Sequence, residues 1–234
     1  MESSRAAMNQ QYQSDFSRPV SSNQDGIHPR LAKQVARHLQ HPYRRPVAPH
    51  SRLAYEAFKR QMSAQPRPLV LDSFCGTGMS TALLASRHPD HLVVGIDQSA
   101  HRLEKHPFSE QDNYLLLRAN AEDIWQLLML DDYKLDYHYL LYPNPWPKAK
   151  HLQRRVHGHG SFALLLHLGG AIELRSNWQL YVEEFGLALH LADRRGTIAR
   201  IEGSPPLTLF EEKYRRSGHP LWRFTSAAVT NPAI

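Results

Sequence analysis

Leu69-Val-Leu-Asp-Ser-Phe-Cys-Gly-Thr-Gly-Met-Ser-Thr-Ala-Leu-Leu-Ala-Ser-Arg87 decides how this chain folds. A three-residue apolar run is too short for a helix and reads as a buried strand. The Asp72–Gly78 loop then turns sharply, because glycine adopts backbone angles closed to other residues. Met79 opens a helix of about nine residues. A strand, a glycine-bearing turn and a helix make the first unit of a parallel sheet, and ligands collect at the carboxyl ends of such strands.

Outward from this unit the pattern repeats. Residues 92–96, 114–118, 135–142 and 171–176 read as further strands, and 121–130, 161–168 and 178–191 as helices. Two late strands fall at 198–201 and 221–225. The alternation predicts an α/β protein with a mostly parallel, doubly wound sheet and helices on both faces. Asp72, Asp97, Asn120, Asn144 and Asn177 all stand at or just past an expected strand end, so they form one candidate cleft.

Towards the N-terminus, residues 1–26 are rich in Ser, Gln and Asn without apolar periodicity and read as a flexible tail. A short helix is possible over 29–39, followed by a proline-punctuated stretch from His41 to His50. The expected organisation is a flexible extension, 1–50, and a single domain, 51–234. Residues 27–50 read either as a tether packed on the body or as a basic arm touching RNA.

The 234 residues carry 28 Lys and Arg against 22 Asp and Glu, a net charge of +6 that favours a polyanionic partner. One cysteine, Cys75, excludes an internal disulfide and a cysteine-rich zinc site, and fits a reducing cytoplasm. No apolar run reaches the roughly 18 residues of a membrane span. Among the 15 histidines, His151, His157 and His159 lie close together, but a glycine-rich loop does not give the fixed geometry of a metal site. No metal is expected. Nothing in the sequence marks an oligomeric interface.

The first loop constrains the cofactor. Gly76 and Gly78 allow close backbone approach, but the third glycine of the dinucleotide fingerprint is missing. Asp97, at the end of the second strand, can accept from both hydroxyls of an adenosine ribose. Asp72 would repel a pyrophosphate yet could face an ammonium group. S-adenosylmethionine has the ribose and the ammonium and no phosphate, so it fits better than a nicotinamide dinucleotide. Asn120 can meet the adenine edge or simply cap the next helix, and Asp72 also reads as a turn or capping residue.

The substrate signal is Tyr142-Pro-Asn-Pro-Trp-Pro-Lys-Ala-Lys-His-Leu-Gln-Arg-Arg155. A strand delivers Asn144 to a proline-stiffened corner, a way to hold a flat base by its edge. Lys148, Lys150, Arg154 and Arg155 follow without an acid, a way to hold phosphates. Trp146 can stack on a base or anchor the corner.

These segments together resemble the bacterial tRNA (guanine-N7)-methyltransferases, S-adenosylmethionine enzymes of the Rossmann-like class. The resemblance spans most of residues 66–225. Asp72–Gly78 is similar to the family's acid-and-glycine loop, Gly95-Ile-Asp97 to its ribose turn, and residues 143–155 to its catalytic corner and basic run. Ser176-Asn-Trp178 is similar to a fifth-strand motif, and Thr208-Leu-Phe-Glu-Glu-Lys213 to its C-terminal substrate motif. The resemblance implies that Asp72, Gly76, Gly78, Asp97 and Asn120 bind S-adenosylmethionine. It implies that Lys148, Asn177, Thr208 and Glu211 contact the target guanosine and its neighbours in tRNA, and that Lys150, Arg154 and Arg155 track phosphates.

Two positions depart from the family: Asn144 and Asn177 stand where it typically carries aspartate. Guanine N7 already holds an exposed lone pair, so no base is needed to create the nucleophile. A neutral amide grips the N1–H and N2–H edge less strongly than a carboxylate. The expectation is a slower enzyme, or one that uses Glu211 as the remaining carboxylate, with Asn144 and Glu211 as the catalytic pair. Two alternatives stay open. The Asn144-Pro-Trp corner is similar to that of enzymes methylating exocyclic amines of adenine, cytosine or glutamine. A non-catalytic RNA-binding paralogue would tolerate both missing aspartates.

Overall fold

The computed structural model describes residues 16–107 and 109–228. Helices α1 (Leu31–Gln40) and α2 (Pro49–Ala64) precede strand β1 (Leu69–Ser73). Then come α3 (Met79–Arg87), β2 (Leu92–Asp97), the single turn α4 (Ala100–Leu103), β3 (Tyr114–Arg118), α5 (Ala121–Leu130) and β4 (Tyr137–Leu141). Two 3₁₀ turns, Ala149–Arg154 and Val156–Gly158, lead to α6 (Phe162–Leu168) and β5 (Ala171–Ser176). The chain closes with α7 (Gln179–His190), β6 (Thr197–Arg200), α8 (Leu209–Arg216) and β7 (Trp222–Ser226).

The strands form one seven-stranded sheet in the order β3-β2-β1-β4-β5-β7-β6. Pairs β1–β2, β2–β3, β1–β4 and β4–β5 are parallel, whereas β7 runs antiparallel to both β5 and β6. The order reverses between β1 and β4, so the loops after these strands diverge and open a crevice.

Period-two alternation sends successive strand residues to opposite faces. Leu69, Leu71, Leu92, Val94, Ile96 and Leu140 join the large core on one face. Val70, Val93, Tyr139 and Leu141 join a smaller cluster with Leu84 and Ala85 of α3 and with Leu207, just ahead of α8. Each fully buried Leu, Ile or Val contributes roughly 1.5–3 kcal/mol.

Residues 27–50 pack on the body. Leu31 and Val35, one turn apart on α1, are both fully buried, and Val47 follows them into the core. Pro49 starts α2 at a position where a missing N–H costs nothing, and Tyr55 and Phe58 pack inward. Upstream, Ser17, Ser22, Asn23, Gln24 and His28 are hydrogen-bonded to the body. A boundary at residue 50 therefore divides what is packed together; residues 1–15 of the expected tail lie outside the described ones.

Among the described residues no helix is long and apolar enough to cross a membrane.

Candidate active site

A cleft of about 1040 Å³ opens at the carboxyl ends of the parallel strands, over the β1/β4 reversal. Asp97, Asn120 and Phe74 line one side; Asn144, Lys150 and Arg154 line the other. Of the five residues expected at strand ends, Asp97, Asn120 and Asn144 line this one cavity. Phe74, Tyr142 and Trp146 on its wall all have positive φ, at 67°, 56° and 46°. Aromatic residues adopt this conformation at a cost of roughly 1–3 kcal/mol each, and such strain collects where a backbone must present a site.

The glycine turn acts through the backbone. Gly76 (φ 63°) donates its N–H to Asp97 Oδ2 at 3.0 Å. Gly78 (φ 78°) starts α3, and a Cβ there would come within 2.7 Å of Leu116 Cδ1. Asp97 also accepts from Ser99 N–H at 2.8 Å and from Arg102 Nη1 at 3.1 Å. Its carboxylate is thereby fixed at the cleft wall. Asn120 occupies the N-cap position of α5, and its Nδ2 donates to Asp123 Oδ2 at 3.0 Å.

Asp72, Gly76 and Gly78 are not part of the cleft wall. Asp72 is fully buried, and its Oδ2 accepts from Ser80 Oγ and Thr81 Oγ1, each at 2.7 Å. Its Oδ1 has no hydrogen-bond partner among the described residues. Burial pushes the carboxyl up to about 6, against the two hydroxyls that favour its charge. Burial likewise pushes the Cys75 thiol well up, so it is no nucleophile.

The corner is braced from behind by Arg155, which corrects its expected place on phosphates. Arg155 is fully buried. Its Nη1 pairs with Glu184 Oε2, its Nε donates to Trp146 O at 3.2 Å and its Nη2 to Lys148 O at 3.5 Å. Its guanidinium lies 4.8 Å from the centre of the Trp178 ring. The buried Glu184 also takes His157 Nε2–H at 3.0 Å on Oε2, and Gln24 Nε2 at 2.5 Å and His28 N–H at 2.8 Å on Oε1. Burial works against this charge, but His157, Arg155 and the His28 amide outweigh it and hold Glu184 down at about 2. From the N-terminal segment, Ser22 Oγ donates to Pro147 O at 2.6 Å, and Asn23 Oδ1 accepts from Ala149 N–H at 3.0 Å. Residues 22–28 therefore belong to the corner's support. Nothing in their Ser- and Gln-rich composition signals this role.

Exposed Arg154 stacks over Trp146, 4.7 Å from the ring centre, so Trp146 is anchored by a cation as well as by its backbone. Lys148 is exposed but outside the cleft wall.

The C-terminal motif requires a second correction. Thr208 caps α8, its hydroxyl accepting Glu211 N–H at 3.0 Å. Glu211 is fully buried; Arg175 Nη1 reaches both its oxygens at 3.0–3.1 Å, Arg215 Nη2 reaches Oε1 at 2.7 Å, and Leu207 N–H reaches Oε2 at 3.3 Å. A carboxylate so occupied has no edge to offer a base. Burial opposes the Arg175 charge, but Glu173 and Glu211 hold its guanidinium above the usual range. Thr-x-x-Glu is the spacing of a capping box, a signal present in the sequence and read there as substrate contact. Asn177 also lies outside the wall; its Nδ2 donates to His219 Nδ1 at 3.1 Å, while His219 Nε2 donates to Ser17 O at 2.9 Å. In place of these residues α8 gives the cleft Phe210 and Tyr214, which stack on each other with centroids 6.2 Å apart.

Among the described residues no cluster of His, Cys, Asp or Glu could hold a metal ion.

The family model described as a putative methyltransferase matches residues 66–224, which contain strands β1 to β6, the start of β7 and both halves of the cleft except the segment that braces the corner. A tRNA (guanine-N(7)-)-methyltransferase of Zymomonas mobilis is 31% identical over 175 residues, covering 68% of this chain and 74% of that one. This chain belongs to the tRNA (guanine-N7)-methyltransferase family. A second relative of the same name, from Photorhabdus laumondii, is 29% identical over 72% of this chain and 77% of its own. Solved structures share the fold. An antibiotic-related methyltransferase superposes with a TM-score of 0.54 at 13% identity, over 74% of this chain and 94% of that one. A 16S rRNA (adenine(1408)-N(1))-methyltransferase from Catenulisporales acidiphilia, solved with cosubstrate SAM, gives 0.53 at 16% identity, over 76% and 92%.

Proposed function

We propose that this family member transfers a methyl group from S-adenosylmethionine to guanine N7 in tRNA. The observation that carries the reading is the single cleft whose two sides hold Asp97 and Asn120 on one hand and the Asn144 corner on the other. The residues present fit the cofactor. The Asp97 carboxylate is oriented by two backbone N–H groups and Arg102, and retains an acceptor position on Oδ1 for a ribose hydroxyl. When bound, S-adenosylmethionine supplies an electrophilic methyl group on a sulfonium.

This chain's residues then bind and align. The Asn144 side chain, exposed at the lip, accepts from the Watson–Crick edge of guanine and leaves the N7 lone pair pointing away from it. Alignment of nucleophile and electrophile alone can be worth roughly 7–11 kcal/mol of barrier. Lys150 and Arg154 carry the phosphates beside the base. Arg155, Glu211, Thr208 and Asn177 serve as positioning residues, fixing the corner and α8. Lys148, on the exposed flank of the corner, contacts RNA outside the cleft.

The decisive experiment incubates the protein with labelled S-adenosylmethionine and bulk tRNA, then digests and identifies the labelled nucleoside. 7-Methylguanosine supports the reading. A methylated exocyclic amine would assign the Asn-Pro-Trp corner to amino-group transfer instead. Absence of label despite tRNA binding would indicate a non-catalytic RNA-binding paralogue.

A further inference from the structure

A second concavity, of about 400 Å³, lies outside the family-matched residues 66–224 except for Gly160 on its rim. Arg37, His38, His41, Arg44 and Arg45 surround it. The three arginines are exposed, and none makes an ion pair among the described residues. No carboxylate is on its wall.

The scaffold beneath it is rigid. Leu31 and Val35 bury the inner side of α1, which carries Arg37 and His38. Gln34 Nε2 and His38 Nε2 both donate to Gly158 O, at 3.2 and 3.1 Å. His41 Nδ1 donates to Arg37 O at 2.8 Å, which closes the turn after α1. Tyr43 packs on His159 with ring centroids 5.7 Å apart, and a Cβ on Gly160 would come within 3.2 Å of its ring. Surface arginines gathered by chance do not need such a floor.

The position links this concavity to the methyl-transfer cleft. His159 lines the cleft and the next residue, Gly160, lines the concavity, so one strip of backbone is the wall of both. Glu122 stands on the cleft side of that strip. We propose that the concavity framed by Arg37, Arg44 and Arg45 is an RNA phosphate subsite, gripping the backbone of the strand whose target base enters the neighbouring cleft. Lys150 and Arg154 then hold that strand on one side of the base and the arginine subsite holds it on the other. Guanidinium forks suit phosphate oxygens, and site volumes of roughly 300–1,000 Å³ are usual for ligands of nucleotide size. The inference rests on the proposed RNA substrate and adds where its backbone is held.

The test compares wild type with R44Q/R45Q and R37Q/R44Q/R45Q, using bulk tRNA and a 20-nucleotide oligouridylate across a salt series. Each phosphate no longer neutralised should flatten the slope of log K against log salt by roughly 0.7–0.9. The double variant should bind tRNA roughly tenfold more weakly at moderate salt with a slope shallower by about 1.5. The triple variant should bind more weakly still, while S-adenosylmethionine uptake by calorimetry and the melting temperature stay at wild-type values. Unchanged affinity and slope in both variants, with wild type binding RNA, would overturn the subsite. RNA binding that depends on these arginines without formation of 7-methylguanosine would keep the subsite and remove the proposed reaction. If wild type binds neither RNA, both are wrong.

Discussion

The two sides of the cleft are built by different means. On the cofactor side, strand ends deliver side chains, and backbone N–H groups orient them: Asp97 is held by Gly76, Ser99 and the half-buried Arg102. On the substrate side, ion pairs on buried carboxylates do the holding: Arg155 on Glu184 fixes the loop, and Arg175 with Arg215 on Glu211 fixes α8 against β5. A parallel sheet fixes its own strand ends, so the first side needs little else. The second side is a long excursion between β4 and α6 whose shape no sheet dictates. Buried charges with several matched partners specify one shape, and removing one partner is costly because the other charge stays buried.

The largest break in this comparison is Arg155→Met. It strips Glu184 of its permanent counter-charge and frees two carbonyls of the corner, and should destabilise the protein by about 3–5 kcal/mol in urea unfolding. Exposed Lys150→Ala, on the same loop, should stay within about 0.5 kcal/mol. Equal effects would erase the distinction between scaffold and contact.

Acid titration separates the sides next. Asp72 keeps its proton in the folded state up to about pH 6 but loses it near 3.8 when unfolded. Stability from this group is present below 3.8 and is lost as pH rises through 6, on the order of 3 kcal/mol. Asp72→Asn should abolish that fall in cofactor-free protein. Glu184 runs the opposite way: its contribution is present above 4.5 and disappears as pH drops towards about 2. Urea midpoints at several pH values spanning both transitions check both signs.

Asp97→Ala should weaken S-adenosylmethionine by roughly 10- to 100-fold, the worth of one charge-assisted hydrogen bond at about 1.5–3 kcal/mol, measured by calorimetry. The smallest effect concerns the corner's chemistry. Asn144→Asp should raise single-turnover methyl transfer by about tenfold, a change of about 1.4 kcal/mol in barrier. A slower variant would indicate that the amide is fitted to another base edge.

The sheet was legible because its signals are local. Residues 69–71, 92–96 and 114–118 are short apolar runs followed by turns, and the structure has strands at each. The cleft was legible for the same reason, since Asp97, Asn120 and Asn144 stand at strand ends. Arg155 was misread because a sequence shows only that four cations follow one another. Which of them turns inward depends on Glu184, twenty-nine residues later and on another helix. The same holds for residues 22–28, whose partners lie at 147, 149 and 184. Glu211 was legible in principle, through its capping-box spacing from Thr208, but its charge drew the reading towards a ligand.

The hydrogen bonds from Ser17 to Ser217 and from His219 back to Ser17 join the start of the described chain to its last helix. Trimming the gene to the catalytic sheet would therefore cut away a clasp. A shortened enzyme that failed on tRNA would be reporting a slackened frame rather than missing chemistry, and laboratory tags are better placed ahead of residue 16 than in exchange for it.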